Sequence, residues 1–211
     1  MDFSNKYVIG FALVICLVCS ALVSFFAVAL GPRQDANKLL DQQRQVIQVA
    51  RLAAPGEALD QARVDELFKN IQGRVVNRET GEFVDVPVAD VDPLRQAKDP
   101  ETSEVTPSAF KSAQISRLPD QLVVYEITKP GSECIVLPIH GKGLWSTMYG
   151  YLAVKMDLTE VVGITFYQHG ETPGLGGEID NKMWQTSWIG RSIYGSAGDV
   201  ELGVVKANAP R

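Results

Sequence analysis

Hydrophobic positions change period several times along the chain, and each change predicts an element. The run "VIGFALVICLVCSALVSFFAVAL", Val8 to Leu30, holds 23 residues and no charge. As a helix it spans ~35 Å, enough to cross a bilayer. In "RQDANKLLDQQRQVIQVARLA" the residues Leu39, Leu40, Val46, Ile47, Val49 and Leu52 recur at a rough three-to-four spacing. That spacing predicts an amphipathic helix, with Pro55-Gly56 as its stop. "DQARVDELFKNI" predicts a second helix, with Val64, Leu67, Phe68 and Ile71 on one stripe. "RVVNRETGEFVDV" then reads as two short strands about Glu79-Thr80-Gly81. Residues 89–120, rich in Asp, Pro, Ser and Lys, read as a long surface excursion that Phe110, Ile115 and Leu118 pin down.

From Gln121 the pattern becomes that of strands. "LVVYEIT", "CIVLPIHG", "MYGYLAVKM" and "EVVGITFYQH" predict four strands, joined by "KPGSE", "KGLWST" and a short turn. "DNKMWQTSWIG" predicts a short helix with Asp180 as N-cap and Gly190 as stop. "RSIYGSAGDVELGVVK" predicts a final hairpin turning at Gly195–Gly198. The expected fold class is α+β: one N-terminal transmembrane helix, then a twisted, mostly antiparallel sheet with packed helices. The expected division is residues 1–31 as tail and anchor, 32–120 as helical segment, short hairpin and excursion, and 121–211 as the sheet domain.

The apolar run also carries "AVA" at Ala27–Ala29, a small-x-small pattern of the kind cleaved in signal peptides, but its length exceeds the usual apolar core of ~7–15 residues. An uncleaved anchor is the expectation. Lys6 on one side nearly balances Arg33 and Lys38 on the other, so charge barely orients the span; the short N-terminal tail favours an exported domain.

Charge and composition narrow the chemistry. A net charge of −5 argues against a nucleic-acid partner. Cys16 and Cys19 form a C-x-x-C inside the apolar run; they either contribute to a metal site shared with another subunit or pack as small apolar side chains, and the second reading is favoured because two further ligands are missing. There is no P-loop, no G-x-G-x-x-G, no G-x-S-x-G and no metal-ligand spacing around His140 or His169. Redox chemistry here requires a borrowed cofactor.

Two loops are the informative feature. "HGKGLWS", 140–146, and "YQHGETPGLGGEID", 167–180, follow strands separated by one intervening strand. In an up-and-down meander those two strands run the same way, so both loops fall at one end of the sheet. Leu144, Trp145 and Leu175 then supply apolar walls, with Glu171, Thr172 and bare glycine backbone as polar edges. Such a slot suits a flat amphipathic ring. Ordinary glycine-rich turns and a buried Trp145 are the plainer alternative.

The string "ETPGLGGEID" resembles the motif of the FMN-binding domain family shared by the NqrC subunits of the Na⁺-translocating NADH:quinone oxidoreductase and their counterparts in the Rnf complex. "LPIHGKGLWSTMYGYLAV" and the N-terminal anchor are similar to the Na⁺-translocating branch in particular. The resemblance covers essentially the whole chain. It implies a periplasmic, FMN-bearing domain on a single inner-membrane span, partnered by the lipid bilayer and by the other subunits of that complex. The domain relays electrons between NADH and ubiquinone, coupled to Na⁺ export, with no activity by itself. The residues it points to for the cofactor are His140, Gly143, Leu144, Trp145, Glu171, Thr172, Gly174, Leu175 and Lys206; Lys142, Arg191 and Lys206 are the candidate cations for its phosphate. The glycines are expected to let backbone lie against the isoalloxazine ring.

The family esterifies FMN to a threonine in a C-terminal [S/T]-G-A-T motif, and these 211 residues contain no such string. Gly195-Ser196-Ala197-Gly198 has the wrong order. The 121–211 domain is therefore expected to be incomplete at its C-terminus. An Rnf-type carrier using ferredoxin-linked electrons and a non-redox envelope module binding a peptide are the competing functions.

Overall fold

The computed structural model describes residues 4–54, 56–108 and 113–204. Two compact units are distinguished, Met1–Asp41 and Gln42–Arg211. The first consists of most of the helix α1, which runs Asn5–Val49. Every described side chain from Ser4 to Leu30 is exposed, and this helix is long and apolar enough to cross a membrane.

The apolar run and the amphipathic stretch, read separately from the sequence, belong to one helix, because α1 continues through Gly31-Pro32. A proline inside a helix removes one hydrogen bond but ends the helix only where nothing else supports its continuation. The helix also stops earlier than Pro55-Gly56, of which Pro55 lies outside the described residues. Arg51 takes a left-handed φ of 55°. The Arg51 N–H then donates to the Gln48 carbonyl, and the Leu52 N–H to the Ile47 carbonyl, both at 3.1 Å. This paired closure satisfies the last carbonyls of the helix. No proline is needed.

In the second unit, helix α2 (Gln61–Phe68) starts at Asp60, whose carboxylate accepts the Arg63 N–H at 2.8 Å. Among the described residues eight strands follow: β1 Ile71–Asn77, β2 Phe83–Val84, β3 Ser103–Val105, β4 Arg117–Pro119, β5 Gln121–Ile127, β6 Cys134–Lys142, β7 Thr147–Lys155 and β8 Val161–Gln168. Six of them form one sheet in the order β2-β1-β5-β6-β7-β8, and every pairing is antiparallel. The expected α+β architecture is the one observed. The 89–120 stretch is more ordered than a bare excursion. It contains helix α3 (Pro93–Gln96) and the two-stranded sheet β3-β4, and its Val91 packs with Val75 and Val123. Phe110 lies outside the described residues.

One sheet face carries a row of tyrosines. Tyr125, Tyr151 and Tyr167 stand with ring centroids 6.1 and 5.0 Å apart, and Phe68 of α2 meets Tyr125 edge-on at 6.4 Å. Burial raises all three phenols, Tyr167 to about 12. The last turns of α1 cover the same face: Gln45 accepts the Thr165 hydroxyl at 2.8 Å, and Val46 and Ile47 are fully buried. Burial pushes the Cys134 thiol up to about 11, which leaves it an inert core residue. Beyond β8, helix α4 (Lys182–Thr186) packs Trp184 on Phe166, ring centroids 6.2 Å apart. Its N-cap is Asn181, which accepts the Met183 N–H at 2.9 Å, and not Asp180. Gly190 does form the left-handed turn after it, at φ 75°. Of the final hairpin, the described residues hold only isolated bridges, Tyr194 with Val200 and Ser192 with Glu160, and its last two positions, 205 and 206, lie outside the described residues.

The approach of α1 to β8 is limited by backbone. A Cβ added at Gly163 would lie 2.3 Å from the Val49 carbonyl oxygen. Neither side has a flexible atom to yield, so Gly163→Ala should cost about 1–3 kcal/mol, as overpacking of a tight interior does. Chemical denaturation of the purified domain measures this. Gly81→Ala, at a turn with open space around it, should cost less, limited to the strain of its φ of 71°.

Candidate functional site

β6 and β8 flank β7 and both run antiparallel to it, so their C-terminal ends lie at one end of the sheet. The β6–β7 hairpin pairs as far as Lys142 with Thr147. His140 and Gly141 are therefore strand residues, and the loop proper is Gly143–Ser146, shorter than the sequence indicates. His140 stacks on Tyr149 at 5.9 Å, and burial lowers its pKa.

The 169–180 loop is joined to this turn by one side chain. Glu171 is only 8% exposed. One carboxylate oxygen accepts the N–H groups of Trp145 and Ser146 at 3.0 and 3.1 Å, and the other accepts that of Leu144 at 3.2 Å. Burial opposes the charge on Glu171, but the N–H groups of Trp145, Ser146 and Leu144 outweigh it and hold the carboxyl below its ordinary value. The backbone of Glu171 is held as well: its N–H donates to His169 Nδ1 at 3.2 Å, and the opposite ring nitrogen faces Asp180 at 2.8 Å. With Nδ1 accepting, the ring proton sits on Nε2 and is donated to Asp180. A second link runs from the Gly170 N–H to the Ser146 hydroxyl at 2.6 Å.

The glycines of both loops have distinct roles. A Cβ at Gly143 would fall 2.4 Å from a Glu171 carboxylate oxygen, and one at Gly176 would fall 2.7 Å from the other. These two glycines clear the space the carboxylate occupies. Gly174, at φ 75°, follows Pro173 in a turn closed by the Leu175 N–H on the Thr172 carbonyl at 3.1 Å.

This frame leaves three large apolar side chains in solvent: Leu144 is 80% exposed, Trp145 67% and Leu175 72%. Trp145 is thus not a core aromatic. Thr172 is exposed beside them. Lys142 is exposed at the end of β6, on the same sheet end. Arg191 is not brought there: its carbonyl accepts the Val161 N–H at the opposite end of β8, and its guanidinium donates to the Ser187 carbonyl. Lys206 lies outside the described residues. At the edge of β8 a polar cavity of about 570 Å³ is lined by Gln45, Thr165, His169, Asp180, Lys182 and Gln185, with Phe166, Tyr167 and Gln168. Sequence reading misses Ser146, Asp180 and Gly176 as parts of the site. Asp180 looks like a helix cap, and the other two carry no signal of a partner in a distant loop.

The arrangement joins two loops through the Glu171 carboxylate, and these loops carry three exposed apolar side chains together with exposed backbone and the Thr172 hydroxyl. A flat aromatic ligand with polar edges fits this better than a metal or a nucleophilic reaction does. The FMN-binding domain family matches residues 143–209. The NqrC-type subunit of the Na⁺-translocating NADH-quinone reductase of Pseudomonas aeruginosa is 44% identical over 201 residues, covering 93% of this chain and 76% of that protein. The same component of the Vibrio vulnificus reductase is 40% identical over 210 residues, covering 98% and 80%. Among solved structures, NqrC of Shewanella oneidensis superposes with a TM-score of 0.72 at 31% identity, over 83% of this chain and 80% of that one. The corresponding protein from Parabacteroides distasonis shares the fold, with a TM-score of 0.65 at 23% identity over 86% and 79%.

The three N–H donors set a pH dependence. A carboxyl held below its unfolded value contributes stability that is present above that value and disappears as pH falls through the lowered one. The stability difference between the wild type and Glu171→Gln should therefore be constant from about pH 7 to pH 5 and shrink only below the ordinary carboxylate value of 4.5. Urea unfolding midpoints of both proteins across that range test it; a difference that does not change with pH would contradict it.

Proposed function

Because the chain belongs to the NqrC family of the Na⁺-translocating NADH-quinone reductase, we propose that it is a membrane-anchored flavoprotein subunit relaying electrons within that complex, on the route from NADH to ubiquinone that drives Na⁺ export. The observation that carries the reading is the pair of joined loops presenting Leu144, Trp145 and Leu175 to solvent. Exposing three large apolar side chains on a frame this well fixed is unfavourable unless a ligand covers them.

Leu144, Trp145 and Leu175 cover the apolar rings of the flavin, while Thr172 and the Gly174–Gly177 backbone meet its polar edge. Lys142 supplies a cation at the same sheet end. Bound FMN supplies the one- and two-electron transfer that no side chain of this chain provides. The protein's part is to hold the ring, keep it at the surface within reach of partner subunits, and set its electrostatic surroundings. His140, in the strand beneath the loop and stacked on Tyr149, supports the site from behind.

We place the chain in the bacterial inner membrane through a single span at Val8–Leu30, with the domain in the periplasm and the other subunits of the complex as partners. Covalent attachment through a threonine, as the family resemblance implies, requires a Ser-Gly-Ala-Thr segment that does not occur in these 211 residues.

In the 211-residue chain, FMN should bind non-covalently, and Trp145→Ala or Leu175→Ala should each weaken it by about tenfold, corresponding to ~1.4 kcal/mol of lost apolar contact. Equilibrium dialysis reads the affinities; unchanged values would remove these side chains from the site. Coexpressed with a flavin transferase, the 211-residue chain should give no fluorescent band on a denaturing gel, whereas the chain extended by a Ser-Gly-Ala-Thr segment should give one. Protease added to spheroplasts should digest the domain, and a protected domain would reverse the orientation.

A further inference from the structure

We propose that Glu171 is a positioning residue of the flavin site: its carboxylate locks the β6–β7 turn onto the 169–180 loop and so sets the apolar surface on which the ring rests. This rests on the flavin reading for its purpose, but the lock itself is a property of the chain.

Three observations converge on it. Both carboxylate oxygens are taken, by the backbone N–H groups of Leu144, Trp145 and Ser146. The carboxylate is therefore turned toward the partner loop and not toward a ligand. Two glycines, one from each loop, leave the space that the carboxylate occupies: a Cβ at Gly143 or Gly176 would collide with its oxygens. And the residues whose N–H groups it binds, or which follow it in its own loop, are those whose side chains are exposed: Leu144 and Trp145 on one side, Leu175 on the other.

A turn whose tip is Leu144-Trp145 has no other fixed partner for those two N–H groups in the described residues. Without the carboxylate they turn to water, and the tip is free to rotate relative to Leu175. A neutral amide at the same position is a poor substitute, since its NH₂ group replaces one of the two acceptor oxygens and opposes the donor or donors bound there. An ionised acceptor is what three converging N–H groups select.

The lock predicts chemical rescue. Glu171→Ala leaves a space shaped for a carboxylate and lined by three donors. Amide hydrogen exchange at Leu144–Ser146 should accelerate by about tenfold or more, together with exchange at Gly174–Gly177, while the paired amides of β6 and β7 stay protected. Sodium formate should restore protection at both loops; formamide, of the same size but neutral, should not. FMN affinity should fall by about tenfold and recover with formate.

Gly143→Ala keeps the carboxylate but fills its space, and should reproduce the loosening. The double variant Gly143→Ala/Glu171→Ala should be no worse than Glu171→Ala alone, because both changes break one interaction. If Glu171→Ala does not fold, Gly143→Ala carries the test. Unchanged exchange in the folded variants overturns the proposal. So does Glu171→Ala binding FMN as the wild type does while its loops open, or formate and formamide acting alike. Loops that open and are rescued in a wild-type background that never binds FMN would instead uphold the lock and overturn the flavin reading.

Discussion

The carboxylate of Glu171 ties together two segments 27 residues apart in sequence. The four-residue turn after β6 and the glycine-rich loop after β8 have no regular pairing with each other. Each belongs to a different edge of the β7 strand. What makes them one surface is a buried negative charge satisfied by three backbone N–H groups, which costs little only because every lone pair in use has a donor. Around it the sequence is arranged to permit close approach. Gly143 and Gly176 remove side chains, Ser146 receives the Gly170 N–H, and His169, itself held by Asp180, fixes the Glu171 backbone.

The sheet beneath serves this arrangement by being stiff and by choosing an end. Three long antiparallel strands, β6 to β8, deliver both loops to the same side. The end of α1 is pressed against β8 at Gly163 and Thr165. The tyrosine row across β5, β7 and β8 fills the face below the helices with rings in mutual contact. Such a face resists shear between strands. It keeps a site made of two loops as well defined as one built on a single element.

Much of this is legible from period alone. The uncharged run predicts the long apolar helix, and alternation and turn residues predict β5 to β8 nearly to their ends. Gly81, Gly131 and Gly190 mark turns that the structure keeps, each with a positive φ. Errors fall where two local signals compete. Pro55-Gly56 reads as the stop of the first amphipathic helix, yet α1 ends at Val49. Asp180 reads as a cap, yet Asn181 caps α4 and Asp180 is used by His169. Both cases have one cause: a residue that suits a local role is taken from it by a partner, or overridden by neighbours, that lie outside the window.

By itself the sequence determined the first two helices and the strands of the main sheet, but it did not show α3 or the β3-β4 pair. It also determined that the two His-Gly loops emerge at one end of that sheet, and which apolar residues they carry. These follow from spacing along one chain and from the parity of an antiparallel meander. The tertiary structure decided the rest. It paired Glu171 with three N–H groups, assigned Gly143 and Gly176 to clear its space, set Gly163 against Val49, and sent Arg191 to the far end of β8. None of these is visible in composition or period, because a carboxylate, a glycine and a backbone N–H look alike wherever they occur. Their meaning depends on which atoms folding brings close to them, across separations that reach 120 residues between Gln45 and Thr165.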